Sequence, residues 1–196
     1  MGCPRRVTEH SRVIAALADV PRVRFLPADV RALAARDEPL PIGHGATNSQ
    51  PWTVQFMLEL LRVPVGASVL DVGSGSGWTT ALLARLTGPT GRVRGVEIVP
   101  ELVEMGRRNL AGCEQPWASI EPARAGGFGL PDEGPYDRIL VSADPGEIPA
   151  ELEQQLAIGG RLVVPASGVM WVIDRDPSGW HREPIMGYRF RFVPLV

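Results

Sequence analysis

Apolar residues recur along the chain with two different periods. From Glu9 to Val20 the residues Val13, Ile14 and Leu17 share one helical face, and Pro21 ends the run. Proline and glycine then punctuate the stretch Pro39 to Pro51, which reads as irregular. A second helix follows, with Val54, Met57, Leu58 and Leu61 at i, i+3, i+4 and i+7. Beyond it strands and helices alternate. Ala67 to Val72 reads as a buried strand and Trp78 to Leu86 as a helix. Arg92 to Ile98 is the next strand and Glu101 to Leu110 the next helix. Arg138 to Ser142 is a strand preceded by the turn signal Gly134-Pro135. A helix around Glu151 to Leu156 and a strand from Arg161 to Val164 come next, separated by Gly159-Gly160.

Repeated strand–helix units predict a parallel sheet covered by helices on both faces. The last third changes character. Val169 to Ile173, a turn at Asp176-Pro177-Ser178-Gly179, and the alternation Tyr188-Arg189-Phe190-Arg191-Phe192 predict paired strands that finish the sheet in antiparallel fashion. The expectation is a single open α/β domain, with no repeat, linker or low-complexity tract.

Composition narrows the function classes. A length of 196 residues fills one domain, and 44% hydrophobic with 21% charged residues is ordinary for a soluble globular protein. No apolar run is long enough to span a bilayer, and the N-terminus leads into no signal-type apolar core, so a cytoplasmic protein is expected. Cys3 and Cys113 have neither metal nor redox spacing and read as two free thiols, and His10, His44 and His181 form no paired motif, so no metal is expected. Net charge is -2 and all twenty basic residues are arginine, spread along the chain. That argues against a surface that tracks nucleic-acid phosphates.

The chemical signal is Asp71-Val72-Gly73-Ser74-Gly75-Ser76-Gly77, between a strand and a helix. Glycines allow a sharp turn and let backbone N–H groups approach a ligand. A dinucleotide site wants G-x-G-x-x-G, but Trp78 occupies the place of its third glycine, and a P-loop wants a lysine that this chain lacks. G-x-G-x-G after an acidic strand end is the pattern used for the amino-acid moiety of S-adenosylmethionine. Glu97 lies twenty residues beyond Gly77 at the end of the neighbouring strand, where a carboxylate can accept both ribose hydroxyls.

The block Pro41-Ile42-Gly43-His44-Gly45-Ala46-Thr47-Asn48-Ser49-Gln50-Pro51, ahead of that loop, resembles the protein-L-isoaspartate O-methyltransferases. The resemblance continues through the glycine loop, Pro135-Tyr136-Asp137-Arg138-Ile139, Gly159 to Pro165 and Phe192-Val193-Pro194-Leu195. It implies a Rossmann-like methyltransferase sheet, with residues 1–62 as an N-terminal, substrate-side segment and 63–196 as the cofactor-binding core. It also implies a monomer that methylates the α-carboxylate of L-isoaspartyl residues in peptides or proteins, yielding S-adenosylhomocysteine. The ester then collapses to a succinimide that can reopen as aspartate.

By the same resemblance Ser49 sits at the acceptor carboxylate, and His44, Gly45 and Thr47 belong to the substrate side. Asn48, Gln50, Asp71, Gly73 to Gly77, Glu97, Ile98, Ala125 and Gly126 fall to the cofactor. An acceptor carboxylate with a pKa of about 4 is already ionised at neutral pH, so no general base is needed, and a water-poor pocket favours attack of an anion on a sulfonium. On position alone, Ser49 could equally cap the helix that starts at Pro51.

The chain departs from the family pattern in several places. Arg124-Ala125-Gly126 stands where the family has Gly-Asp-Gly, so the carboxylate expected at the adenine amino group is absent, at a cost on the order of 1 kcal/mol. Asn48 replaces an apolar residue and Ala46 a glutamine common in bacterial members. Asp144 adds a charge that would repel an anionic acceptor unless it faces away. A closing tail such as longer relatives carry is expected to be missing. Two other functions follow from these departures, methylation of ordinary aspartate in a ribosomally made peptide, giving an aspartimide, and a non-catalytic binding module; a third rival is nucleic-acid methylation. The last is disfavoured because Asp144-Pro145-Gly146-Glu147 lacks the second proline and aromatic platform of amine methyltransferases.

Overall fold

The computed structural model describes residues 8–124 and 126–195. Cys3 and Ala125 lie outside the described residues. Helix α1 (Glu9–Asp19) is followed by two 3-10 turns and a small hairpin, β1 (Leu40–Gly43) and β2 (Ala46–Asn48), before helix α2 (Pro51–Leu61). The core then runs β3 (Ser68–Val72), α3 (Trp78–Thr87), β4 (Arg92–Glu97), α4 (Pro100–Ala111), β5 (Ala118–Pro122), β6 (Tyr136–Val141), α5 (Ala150–Gln154), β7 (Leu156–Ala166), β8 (Val169–Asp176) and β9 (Gly179–Ile185).

Seven strands form one sheet in the order β5-β4-β3-β6-β7-β8-β9. Strands β3 to β7 pair in parallel and β8 and β9 antiparallel, as the alternation of strand and helix predicts. Neighbouring residues of β3 serve opposite faces. Val69 packs with α1, α2 and α3, whereas Leu70 packs with β6, β7 and α5. From β3 the chain runs outward to β4 and β5, then crosses back to β6 on the other side of β3. The carboxyl end of β3 is therefore the switch point where open α/β sheets place ligands.

The structure corrects the sequence reading in four places. Pro39 to Pro51 is not irregular throughout: Leu40 and Ile42 point inward and Pro41 and Gly43 outward, so a short hairpin forms despite its prolines and glycines. Its turn runs Gly43, His44 and Gly45 at φ of 93°, 53° and 75°, a left-handed path that favours glycine. Gly159 and Gly160 do not separate helix from strand but lie within β7, where the register with β6 shifts. A Cβ on Gly160 would stand 2.7 Å from the Ala157 carbonyl.

The alternating run Tyr188 to Phe192 is not a strand. The final strand is Gly179–Ile185, largely exposed along its length, and Phe190 instead buries itself against Phe56 and Trp52 of α2. In α1 the buried face is Val13 and Ala16, with Ile14 43% exposed.

Candidate active site

The wall nearest the sheet follows from β3. Gly73 and Ser74 donate their backbone N–H groups to the Val96 carbonyl at 2.9 and 3.0 Å, turning the chain out of the strand. Gly73, Gly75 and Gly77 all take positive φ (78°, 51° and 88°). A Cβ on Gly77 would meet the Gly106 carbonyl of α4 at 3.1 Å, so close helix packing needs glycine here, one residue earlier than in a dinucleotide site. Trp78 is buried and donates its indole N–H to the Val20 carbonyl at 3.0 Å.

Asp71 lies beneath this loop, fully buried, and does not reach the cleft wall. Its Oδ2 accepts the hydroxyls of Thr79 and Thr80, each at 2.7 Å, and Oδ1 that of Ser142 at 3.3 Å. Burial pushes its carboxyl up to about 6, with the three hydroxyls acting against that shift. Asp71 therefore acts through α3 and the β6 end, as a positioning residue.

Glu97 ends β4 and faces the cleft. Its Oε1 accepts the N–H groups of Ile98 (2.8 Å) and Val99 (3.0 Å), and Oε2 that of Gly75 (2.9 Å). A carboxylate offers about four lone-pair sites, so one remains, on Oε2. Glu97 thus keeps an open acceptor site towards the cleft.

The opposite wall is the hairpin. It hangs on Arg22, a buried guanidinium among the residues that sequence reasoning missed. Arg22 donates to the carbonyls of Arg36 (3.1 Å), Glu38 (2.8 Å) and Asn48 (2.9 Å), and through Nε to Asn48 Oδ1 (2.7 Å). Its charge also lies over the Trp78 ring, 5.7 Å from the centroid. Burial lowers its pKa, with Asp37 and Glu38 opposing. No local pattern marks Arg22, because its partners are 14 to 26 positions away.

Asn48 joins the two walls by donating from Nδ2 to Ser76 Oγ at 3.1 Å. Gln50 is held by Asp37, whose carboxylate also accepts the N–H of Trp52, so Asp37 caps α2 from a distance. The helix cap position is Gln50, and among the described residues the Ser49 hydroxyl makes no hydrogen bond. Capping is therefore not what occupies Ser49.

Between these walls lies a cleft of about 620 Å³, lined by His44, Ala46, Thr47, Ser49, Gln50, Gly73, Gly75, Glu97, Ile98, Ser142 and the segment Tyr188 to Leu195. Gly45 is at the hairpin tip beside it. Thr47, Asn48 and Ser49 also border a polar void of about 30 Å³ with Ser74 and Ser76, into which the buried, unpartnered Ser74 hydroxyl falls. A further slot of about 200 Å³ is walled by Ile98, Ala123, Gly126, Phe128 and Leu195. Arg124 beside it pairs with Asp132 at 2.5 Å.

Val193 to Leu195 line the mouth: Asp144 donates its N–H to the Val193 carbonyl and accepts that of Leu195, each at 2.8 Å. Asp144 Oδ1 accepts N–H groups of Gly146 and Ser167, which turns its charge out of the cleft. Among the described residues no group of three His, Cys, Asp or Glu side chains could hold a metal ion.

The family described as Protein-L-isoaspartate(D-aspartate) O-methyltransferase matches the chain over residues 4–196. A protein-L-isoaspartate O-methyltransferase of Aeropyrum pernix is 44% identical over 189 residues, covering 94% of this chain and 72% of its own. One from Gloeobacter violaceus is 42% identical over 199 residues, covering 98% and 93%. A Plasmodium falciparum structure described under the same activity, in complex with S-adenosyl-L-homocysteine, superposes with a TM-score of 0.82 at 25% identity, covering 94% of this chain and 90% of that one. With the hairpin block, the glycine loop and the seven-stranded sheet all in place, the chain belongs to the protein-L-isoaspartate (D-aspartate) O-methyltransferase family.

Proposed function

We propose that the protein methylates the α-carboxylate of L-isoaspartyl residues in peptides or proteins, with S-adenosylmethionine as donor, as a step in protein repair. The observation that carries this is Ser49: a half-buried hydroxyl without an internal partner, opposite Gly73 and Gly75 in one cleft. The residues present fit the donor. Positive-φ glycines leave room for its amino-acid end, and the orphaned Ser74 hydroxyl in the polar void offers it a partner. Glu97 Oε2 receives one ribose hydroxyl, and the slot between Ile98 and Phe128 takes adenine by apolar contact, with Gly126 in its wall. When bound, the donor supplies an electrophilic methyl group on a sulfonium.

The protein's own work is then alignment and exclusion of water. Ser49 donates to one oxygen of an acceptor already ionised at neutral pH and orients the other, and no residue need remove a proton. Thr47, His44 and Gly45 bound the acceptor's backbone. Residues 1–62 present the acceptor and 63–196 the donor, and Asn48 with Ser76 joins them. We read the protein as a cytoplasmic monomer acting on no nucleic acid, which sedimentation and a binding titration against oligonucleotides check.

The test incubates the protein with S-adenosylmethionine and matched peptides carrying isoaspartate or aspartate at one position. Methylation of the isoaspartyl peptide alone is expected. Methylation of only the aspartyl peptide sinks the repair reading in favour of aspartimide formation. Methylation of neither, without cofactor binding, leaves a non-enzymatic module.

A further inference from the structure

The run Tyr188 to Phe192 resolves into an anchor and a rim. Phe190, 7% exposed, stacks near Phe56 with centroids 5.8 Å apart and an interplanar angle of 18°, and its N–H donates to the Gly168 carbonyl at 3.1 Å. Beyond it, Val193 and Leu195 are bonded to the backbone of Asp144. Arg191 lies between these two anchors and Arg189 directly ahead of Phe190, and both line the cleft. Arg189 and Arg191 are exposed, line the cleft, and make no ion pair or hydrogen bond among the described residues. Other arginines of the last strands are spoken for, Arg161 by Asp174 and Arg182 by Glu153.

Two unpartnered guanidiniums are notable in a chain with 22 acidic and 20 basic residues. The carboxylate lining the same cleft, Glu97, already has three N–H donors. The cleft lining thus carries two guanidiniums against one carboxylate, with Asp37 behind Gln50 and Trp52, although the molecule is net anionic. Beside the arginines, Trp52 (38% exposed) and Tyr188 (50% exposed) meet at 5.3 Å and present a wide apolar surface, with Trp52 three positions from Ser49.

Resting on the isoaspartyl reading above, we propose that Arg189 and Arg191 form a flanking subsite selecting acceptor segments that carry carboxylates next to the methylated residue, with Trp52 and Tyr188 as the floor for their aliphatic stems. Acidic stretches would then be the preferred substrates. Exposed pairs of this kind are weak singly, so the pair should give a preference of about threefold to tenfold.

The experiment uses three isoaspartyl peptides of equal length whose flanks carry two glutamates, two glutamines or two arginines. Binding of each to the S-adenosylhomocysteine complex is read by calorimetry, and methylation by kcat/KM. The glutamate peptide is expected to bind best and the arginine peptide worst, with the gap narrowing as salt rises. The variant R189Q/R191Q should bring the glutamate-to-glutamine ratio close to one, and R189K/R191K should keep most of it. Equal binding of the glutamate and glutamine peptides to the wild type overturns the proposal. So does a loss of S-adenosylhomocysteine affinity in R189Q/R191Q with the flank preference intact, which would assign the arginines to the cofactor. A preserved binding preference without methylation supports the subsite and instead sinks the isoaspartyl reading.

Discussion

The glycine-loop wall and the hairpin wall face one another across Ser49, and opposite means hold them. The loop leaves a central parallel strand, is tied to the next strand through Val96, and rests on a buried carboxylate, Asp71, that collects hydroxyl donors. The hairpin has two short strands and no place in the main sheet. A buried cation, Arg22, fixes it by collecting carbonyls from residues 36, 38 and 48. A wall built on a sheet inherits its position from backbone pairing, whereas a wall hung on one side chain can be lost with that side chain.

Arg22→Ala should have the largest effect. It orphans three carbonyls and the Asn48 amide oxygen, at a cost on the order of 3–5 kcal/mol, less where water reaches them. Chemical denaturation should show that loss, and a melting temperature lower by roughly 10 °C. A change below about 1 kcal/mol would mean the hairpin holds itself, and the contrast between walls would collapse.

Asp71→Asn tests the other wall. The folded-state carboxyl is raised to about 6, so its contribution is favourable below the ordinary carboxyl range and is lost as pH rises through 6. At neutral pH the buried charge costs on the order of 2–3 kcal/mol relative to acid. Stability measured from pH 4 to 7 should therefore fall less steeply in the asparagine variant. Parallel slopes for variant and wild type would refute the assignment.

Glu97→Gln should leave the fold intact by circular dichroism and weaken S-adenosylhomocysteine roughly tenfold, the value of one charge-assisted hydrogen bond. A loss near a thousandfold would show that Glu97 takes both hydroxyls after shedding a backbone donor. The smallest effect belongs to the joint between the walls. Asn48→Val restores an apolar residue but leaves Arg22 Nε–H and Ser76 without that partner. Peptide KM should rise about threefold with cofactor affinity nearly unchanged, an effect of less than 1 kcal/mol. A larger loss of cofactor than of peptide affinity would place Asn48 wholly on the donor side.

The comparison also explains which parts were legible. Parallel strands β3, β4, β6 and β7, helices α2 to α4 and the glycine loop were readable because periodicity and backbone conformation act over a few residues. Hairpin β1–β2 was obscured by its prolines, and Tyr188 to Phe192 mimicked a strand because aromatic alternation serves an anchor equally well. Strand β5 buries a single side chain, Ile120, and so has no alternation to read.

By itself, then, the sequence determined most strands and helices of the core, the loop that turns at Gly73, Gly75 and Gly77, and the family resemblance carried by the block ending at Ser49. Only the tertiary structure decided what the polar groups do. It placed Asp71 under the loop, left Glu97 an open acceptor site, turned Asp144 away, brought Arg22 to the hairpin and set Val193 to Leu195 along the mouth of the cleft. Hydrogen-bond capacity belongs to a residue type, but the partners that use it come from segments far apart in the chain. Their meeting depends on the assembled sheet and cannot be read from any local pattern.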